Sequence, residues 1–273
     1  MYNVLNERAV ISISGEDKQK FLQGLLTNDI NKLNETNSIY ACMLTPQGKY
    51  FADFFFKMEN NVIYADLPYL RKEEILKKLN IYKLRSAVTF TEHVDYKVVA
   101  FFKEEPNKGS MAFIDPRSEA MGLRAYLKDN ELPEITKDIE QNQNSYDLAR
   151  IDNFITEGEK DLVAGQSFPL EYGLDELNAI DYKKGCYVGQ ELVARTHYRG
   201  VIRKQIVQIS SSSKLRELGS IIYAGDQKIG IMCSSVDNIG LALIRTEDFM
   251  NLDPSVKITV QEQEVKLKFK ENI

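Results

Sequence analysis

Six short runs of alternating apolar and polar residues, closely spaced from Val201 onward, constrain the fold more than any other feature of this chain. They cover residues 201–209, 220–223, 228–233, 239–244, 256–260 and 265–269, with Gly, Asp and Asn between them. A period of two buries one face of a strand and leaves the other in water, so such a series predicts a small all-β barrel or sandwich. A domain boundary near Gly200 follows, dividing the chain into residues 1–200 and 201–273.

The first two hundred residues read differently. An alternating run at 10–13 leads into Ser14-Gly15-Glu16-Asp17, which supplies capping and acidic residues at a helix entry. Phe21, Leu22, Leu25 and Leu26 then fall at helical spacing, predicting a helix over 17–26. Residues 38–44 and 50–58 read as strands joined by Thr45-Pro46-Gln47-Gly48-Lys49, a sound hairpin turn, and 62–66 as a third strand. An amphipathic pattern over 69–82 predicts a second helix, and 87–91 and 96–102 two more strands. Residues 104–110 read as a surface loop, and 129–145 as a polar stretch with little periodicity. Strands interleaved with two helices predict an α+β domain with a mostly antiparallel sheet.

Composition narrows the function classes. Of the 273 residues, 43% are hydrophobic and 27% charged, ordinary values for a globular protein with a real core. With 40 acidic against 35 basic side chains the net charge is −5, which argues against direct binding of nucleic acid, where phosphate neutralisation dominates affinity. Three widely separated cysteines, Cys42, Cys186 and Cys233, with no C-x-x-C pair and only two histidines, predict neither a disulfide framework nor a self-contained zinc site. No run approaches the roughly 20 apolar residues of a membrane span. The first residues lack signal or transit character, so a cytoplasmic protein is expected, bacterial in origin, or one of the mitochondrial matrix if this is a processed form.

The most unusual stretch is Lys183-Lys184-Gly185-Cys186-Tyr187-Val188-Gly189-Gln190-Glu191. Glycines let a turn expose the sulfur. Two lysines and the start of a helix after it are expected to favour the thiolate, the nucleophilic and metal-binding form. On residue type alone, a lone cysteine is more often a small buried apolar group.

The segment from Lys184 to Glu191 resembles, unbroken, the Lys-Gly-Cys-aromatic-x-Gly-Gln-Glu signature of YgfZ-type proteins, a branch of the folate-binding, GcvT-like aminomethyltransferase superfamily. The resemblance runs along most of the chain, through the 21–29 helix, the 44–49 hairpin, Asp115-Pro116-Arg117, Gly122-Leu123-Arg124, Glu157-Gly158, Asp161-Leu162 and Pro169-Leu170-Glu171. It implies a GcvT-like N-terminal folate-binding fold followed by a small β-barrel. The function it implies is support of iron–sulfur cluster assembly or repair in client enzymes, including ones that modify transfer RNA.

The resemblance also assigns residues. Glu171 matches a pterin-binding carboxylate, suited to accept two parallel N–H bonds, and Asp53 matches an aspartate near the reactive folate nitrogen. Arg150, Arg195 and Arg203 are candidates for the folate's glutamate tail, and His197 for assisting Cys186. Tetrahydrofolate or a derivative is the implied cofactor. One cysteine does not complete a cluster, so Cys186 is expected to share a transient one with a partner, such as an A-type iron–sulfur carrier or a client enzyme. A folate-dependent aminomethyltransferase of T-protein type and a folate-binding module without chemistry remain as alternatives. The chain's length and the Lys-Gly-Cys motif favour the accessory factor over a one-carbon transferase.

Overall fold

A computed structural model describes residues 1–102, 111–215, 218–253 and 255–270. The loop expected over 104–110 lies outside them. In chain order the first elements are β1 (Tyr2–Val4), β2 (Arg8–Ser14), α1 (Lys18–Leu25), β3 (Ile39–Leu44), β4 (Tyr50–Glu59), β5 (Val62–Pro68) and α2 (Lys72–Lys83). There follow β6 (Thr89–His93), β7 (Tyr96–Phe101), β8 (Met111–Ile114), β9 (Leu123–Lys128), α3 (Leu132–Thr136), α4 (Ser145–Asp152), α5 (Gly158–Asp161) and α6 (Gln190–Arg199). The last part holds β10 (Lys204–Ser211), β11 (Ile221–Ala224), β12 (Gln227–Val236), β13 (Ile239–Arg245), α7 (Thr246–Met250), β14 (Ile258–Val260) and β15 (Gln263–Lys268).

The strands form three units: a five-stranded sheet β3-β4-β5-β2-β6, a four-stranded sheet β1-β7-β9-β8, and a closed barrel β10-β13-β12-β11-β14-β15. Each of the six alternating runs after Val201 supplies one barrel strand, and closure leaves the barrel no exposed edge. The architecture is α+β with antiparallel pairing between strands, as expected. One expectation gives way: the polar stretch 129–145 contains α3, whose proline near its first turn is a helix-start signal.

The five-stranded sheet is covered on both faces. On one, Phe54, Phe56, Ile63 and Ala65 pack against Phe21, Leu22 and Leu25 of α1 and Ile75, Leu76 and Leu79 of α2. On the other, Val10, Tyr40, Tyr50 and Phe55 meet Val98, Phe113 and Tyr126 of the four-stranded sheet. Strand β4 is therefore buried along nearly its whole length, and Asp53, opposite in parity to Phe54, shares the inner side with Phe55. The same inner core takes in Cys233, Leu241 and Leu243 from the outer wall of the barrel. A polar lock adds to it, as Asp161 of α5 accepts bonds from the N–H (2.8 Å) and hydroxyl (2.6 Å) of Ser234.

Candidate functional site

The residues that sequence reading singled out fall in three places. The first is the cysteine loop. Cys186 is exposed, whereas Cys42 and Cys233 are buried and burial pushes their thiols up. The loop is pinned on both sides of the sulfur. Ahead of it, Lys184 is itself buried, and its ammonium donates to the carbonyls of Gln23 (2.9 Å), Leu26 (2.6 Å) and Asn28 (2.8 Å) at the end of α1. Carbonyls there lack helical partners and sit at the negative end of the helix dipole, so a cation is well placed. Desolvation pushes Lys184 down to about 8, against the attraction of Asp29 and Asp181. The expectation that Lys184 serves the thiolate is thus corrected: its charge is taken up by three backbone carbonyls.

Behind the sulfur, Gly189 stands at φ +83° just before α6, and a Cβ there would meet the Thr45 carbonyl at 2.5 Å and Gly48 Cα at 3.1 Å. Only glycine combines that backbone with that approach. The hairpin turn 45–49 and the cysteine motif, far apart in sequence, are therefore seated on one another. Tyr187 is buried beneath Lys184, whose Nζ lies 5.1 Å from the ring centre. Gln190 and Glu191 open α6, with Glu191 exposed in its first turn. His197 stacks on Tyr182 with ring centres 3.7 Å apart, its Nδ1 3.9 Å from Asp175.

The second place is the edge of α6. Glu171 is half-buried and pairs with Lys204 at 3.2 Å. With Arg203 it borders an apolar slot of about 210 Å³ made by Phe168, Leu170, Leu192, Val193 and Ile202. Glu171 also borders a cleft of about 640 Å³ along Tyr172, Asp175 and Gln205. Arg195 is exposed on α6.

The third place is the middle of the molecule, where Asp53 is fully buried. Its carboxylate accepts from Arg8 Nη1 (3.0 Å), the Tyr40 hydroxyl (2.9 Å) and the Tyr50 hydroxyl (3.2 Å). Gly158 closes over it: a Cβ there would lie 2.5 Å from Asp53 Oδ1. Around it extends a network invisible in local sequence pattern. Asp66 holds both Arg8 (2.6 Å) and Arg124 (2.7 and 2.9 Å). Arg117 bridges Asp115 (2.8 Å) and Glu157 (3.0 Å) and donates to the Tyr146 hydroxyl (2.7 Å), which in turn donates to Glu157. The guanidiniums of Arg124, Arg117 and Arg8 lie 3.7, 4.6 and 5.4 Å from the centre of the Phe55 ring. Buried charges persist only when paired and hydrogen-bonded, and nearly every oxygen here is.

The exception is Glu157 Oε1, buried without a hydrogen-bond partner. Burial works to raise this carboxyl, but Arg117, then Lys160, Arg124 and Arg8, hold it well below the usual carboxylate range. Glu157 and Arg8 form part of the wall of a cleft of about 460 Å³, together with Asn3, Gln143, Asp147 and Lys160. Arg150 belongs to this interior as well, fully buried between Asp147 (2.6 Å) and Asp161 (2.9 Å). Its expected contact with a folate tail is corrected accordingly, since its donors already have partners inside the protein.

Asp53, Glu171, Arg150 and Arg195 therefore do not line one pocket. The residues that sequence reasoning did not assign are Arg8, Arg117, Arg124 and Glu157. Three of these four lie in the short segments Asp115-Pro116-Arg117, Gly122-Leu123-Arg124 and Glu157-Gly158, on which the family resemblance rested, so the signal was present without its meaning. Among the described residues no group of three His, Cys, Asp or Glu side chains comes together to hold a metal ion, and no helix is long and apolar enough to cross a membrane.

The fold is GcvT-like, the class of the glycine-cleavage aminomethyltransferases. The chain aligns with the crystal structure of glycine cleavage system aminomethyltransferase T from Bartonella henselae at a TM-score of 0.74, over 97% of this chain and 83% of that one, with 12% identity. Residues 203–271 match the family model described as CAF17, C-terminal beta-barrel domain. More particular are the sequence relatives, named iron–sulfur cluster assembly factor IBA57 homolog, mitochondrial. The chain is 36% identical over 222 residues to that of Mycosarcoma maydis and 34% over 235 residues to that of Neurospora crassa. To that of Dictyostelium discoideum it is 29% identical over 262 residues, covering 80% of this chain and 64% of the relative. Each fungal alignment covers 74% of this chain but 55% and 52% of the relative, so the chain spans little more than half the length of these two curated proteins.

Proposed function

We propose that this chain is a tetrahydrofolate-binding accessory protein in the assembly or repair of iron–sulfur clusters in client enzymes, including ones that modify transfer RNA, and that it acts through Cys186. The observation that carries the reading is the mounting of that cysteine. It is the exposed one of three, held on a loop fixed by a buried lysine on one side and a glycine–hairpin contact on the other. A cluster generally takes four protein ligands, so one presented cysteine suits a cluster shared with a second protein, for which an A-type carrier is the proposed partner. The similarity to proteins named as iron–sulfur cluster assembly factors supports the same reading. It applies in a bacterial cytoplasm or a mitochondrial matrix alike.

The residues present fit a folate in part. Asp53 does not, because its oxygens are taken by Arg8, Tyr40 and Tyr50 under Gly158, which also disfavours an aminomethyltransferase. Glu157 does: a buried, ionised carboxylate with one oxygen unpartnered beside a 460 Å³ cleft suits the N–H donors of a pterin. In the same wall Asn3 already donates to the Gln143 carbonyl (2.6 Å) and Lys160 is paired with Glu7 (2.7 Å) and Asp147 (2.9 Å), so Glu157 carries the fit. Tetrahydrofolate, when bound, supplies a carrier for one-carbon units. Glu171, paired with Lys204 at another cleft, is the second candidate for the pterin. Complementation of a strain lacking its own YgfZ-type protein tests the whole reading: wild type is expected to restore cluster-dependent enzymes and Cys186→Ser to fail. Full rescue by Cys186→Ser would reduce the chain to a binding module.

A further inference from the structure

The surface beside the cysteine loop differs in charge from the rest of the chain. Between 183 and 204 five basic side chains reach the surface (Lys183, Arg195, Arg199, Arg203 and Lys204), Lys184 being buried, against Glu191 alone, in a chain of net charge −5. Helical spacing aligns Leu192, Arg195, Thr196 and Arg199 on one side of α6, and Leu192 and Thr196 line the apolar slot. Arg203 lines it too, and Lys49 lies 5.5 Å above the ring of Phe168, another of its walls. The acidic group at the slot, Glu171, is paired with Lys204. At the mouth Val201 is 81% exposed and Ile202 41%. An apolar recess with open aliphatic residues at its mouth and arginines around it has the make-up of an interface centre with a charged rim.

The slot is also close to the sulfur. Gly48 lines it and lies against Gly189, and Gly189 is three residues from Cys186, a reach of at most about 11 Å. A stable interface covers roughly 800 Å² on each partner, a patch about 30 Å across. A protein seated on the slot therefore covers the cysteine as well.

We infer that the slot and its arginine rim form the docking surface for an acidic protein partner, which inserts an aliphatic or aromatic side chain into the slot and so brings its own cluster ligands over Cys186. This rests on the proposed function and names the surface that would serve it. Complementary charge favours an acidic partner; a second copy of this net-acidic chain and an RNA are the competing occupants, and the test reads both.

The test is calorimetric titration of the full chain with a cluster-free A-type carrier of net negative charge, so that binding is measured apart from cluster ligation. Wild type is expected to bind, about tenfold more weakly at 300 mM than at 50 mM NaCl. The variant Arg199→Glu/Arg203→Glu and the variant Val201→Asp should each lose about tenfold or more, with unchanged circular dichroism. Cys186→Ser should bind as wild type does. Equal binding by both surface variants, or no binding by wild type, overturns the proposal. So does a Val201-dependent dimer in sedimentation, or tighter binding of unfractionated tRNA than of the carrier at the same arginines. Loss of the cluster spectrum is read separately: if Cys186→Ser leaves it unchanged while docking persists, the cysteine reading fails and the surface stands.

Discussion

Replacing Asp53 by Asn separates a structural centre from a catalytic one. The carboxylate meets Arg8 at 3.0 Å and two tyrosine hydroxyls at 2.9 and 3.2 Å, all buried. Removing its charge leaves Arg8 with Asp66 as its ion-pair partner, which it shares with Arg124. Breaking one side of a buried ion pair costs about 3–5 kcal/mol. The amide keeps one acceptor and the tyrosines can rotate to accept from its NH₂, which brings the expected loss to about 2–4 kcal/mol. For 273 residues, an unfolding entropy of about 2.1 cal/mol/K per residue turns this into a fall in Tm of roughly 4–7 °C. Scanning calorimetry reads it directly. A double-mutant cycle with Arg8→Met should show coupling of about 1 kcal/mol or more, while the affinity for tetrahydrofolate falls little in Asp53→Asn. An unchanged Tm with abolished folate binding would refute the assignment, and Asp53 would then be a ligand of the proposed folate.

Gly189→Ala should destabilise by about 2–4 kcal/mol, from left-handed backbone strain plus the 2.5 Å approach to the Thr45 carbonyl; urea unfolding checks it, and a loss under 0.5 kcal/mol would contradict the seating of motif on hairpin. Lys184 titrates near 8 in the folded chain, lowered by desolvation, against about 10.4 unfolded. The unfolded chain therefore holds more protons between those values, and this group's contribution to stability rises with pH there. Measured against Lys184→Met, wild type should gain stability from about pH 8 to 10, and a shrinking difference would exclude the assignment. Asp161→Ala should remove the bonds to Ser234 and leave Arg150 with Asp147 alone, exposing barrel amides to faster hydrogen exchange; unaltered exchange in β12 would show the lock to be unnecessary.

Much of the architecture is legible in sequence because it is local. The six alternating runs each yield a barrel strand, and Thr45-Pro46-Gln47-Gly48-Lys49 forms its hairpin, since turn chemistry and period-two burial act over a few residues. The helix after Gly189 is legible for the same reason, whereas residue type alone favours a buried Cys186 and the flanking glycines only permit the exposure it has. The central network was not. Arg8, Asp66, Arg117 and Glu157 are charged residues scattered over 150 positions, and nothing in their neighbours says that they will be buried together. Arg150 read as a ligand for a carboxylate, and it is one, but its carboxylates are Asp147 and Asp161 from the same chain. Proximity in sequence assigns Lys184 to the sulfur, whereas its partners are carbonyls about 160 residues earlier. Close spacing in sequence does not fix the direction of a long flexible side chain.

Cys186 is proposed as a shared cluster ligand. Anaerobic reconstitution of the protein together with an A-type carrier, iron and sulfide, followed by absorbance spectroscopy of the isolated complex, addresses it most directly. The wild-type complex is expected to show a cluster spectrum distinct from that of the carrier alone, and Cys186→Ser to lose it. An identical spectrum for the two complexes would contradict it.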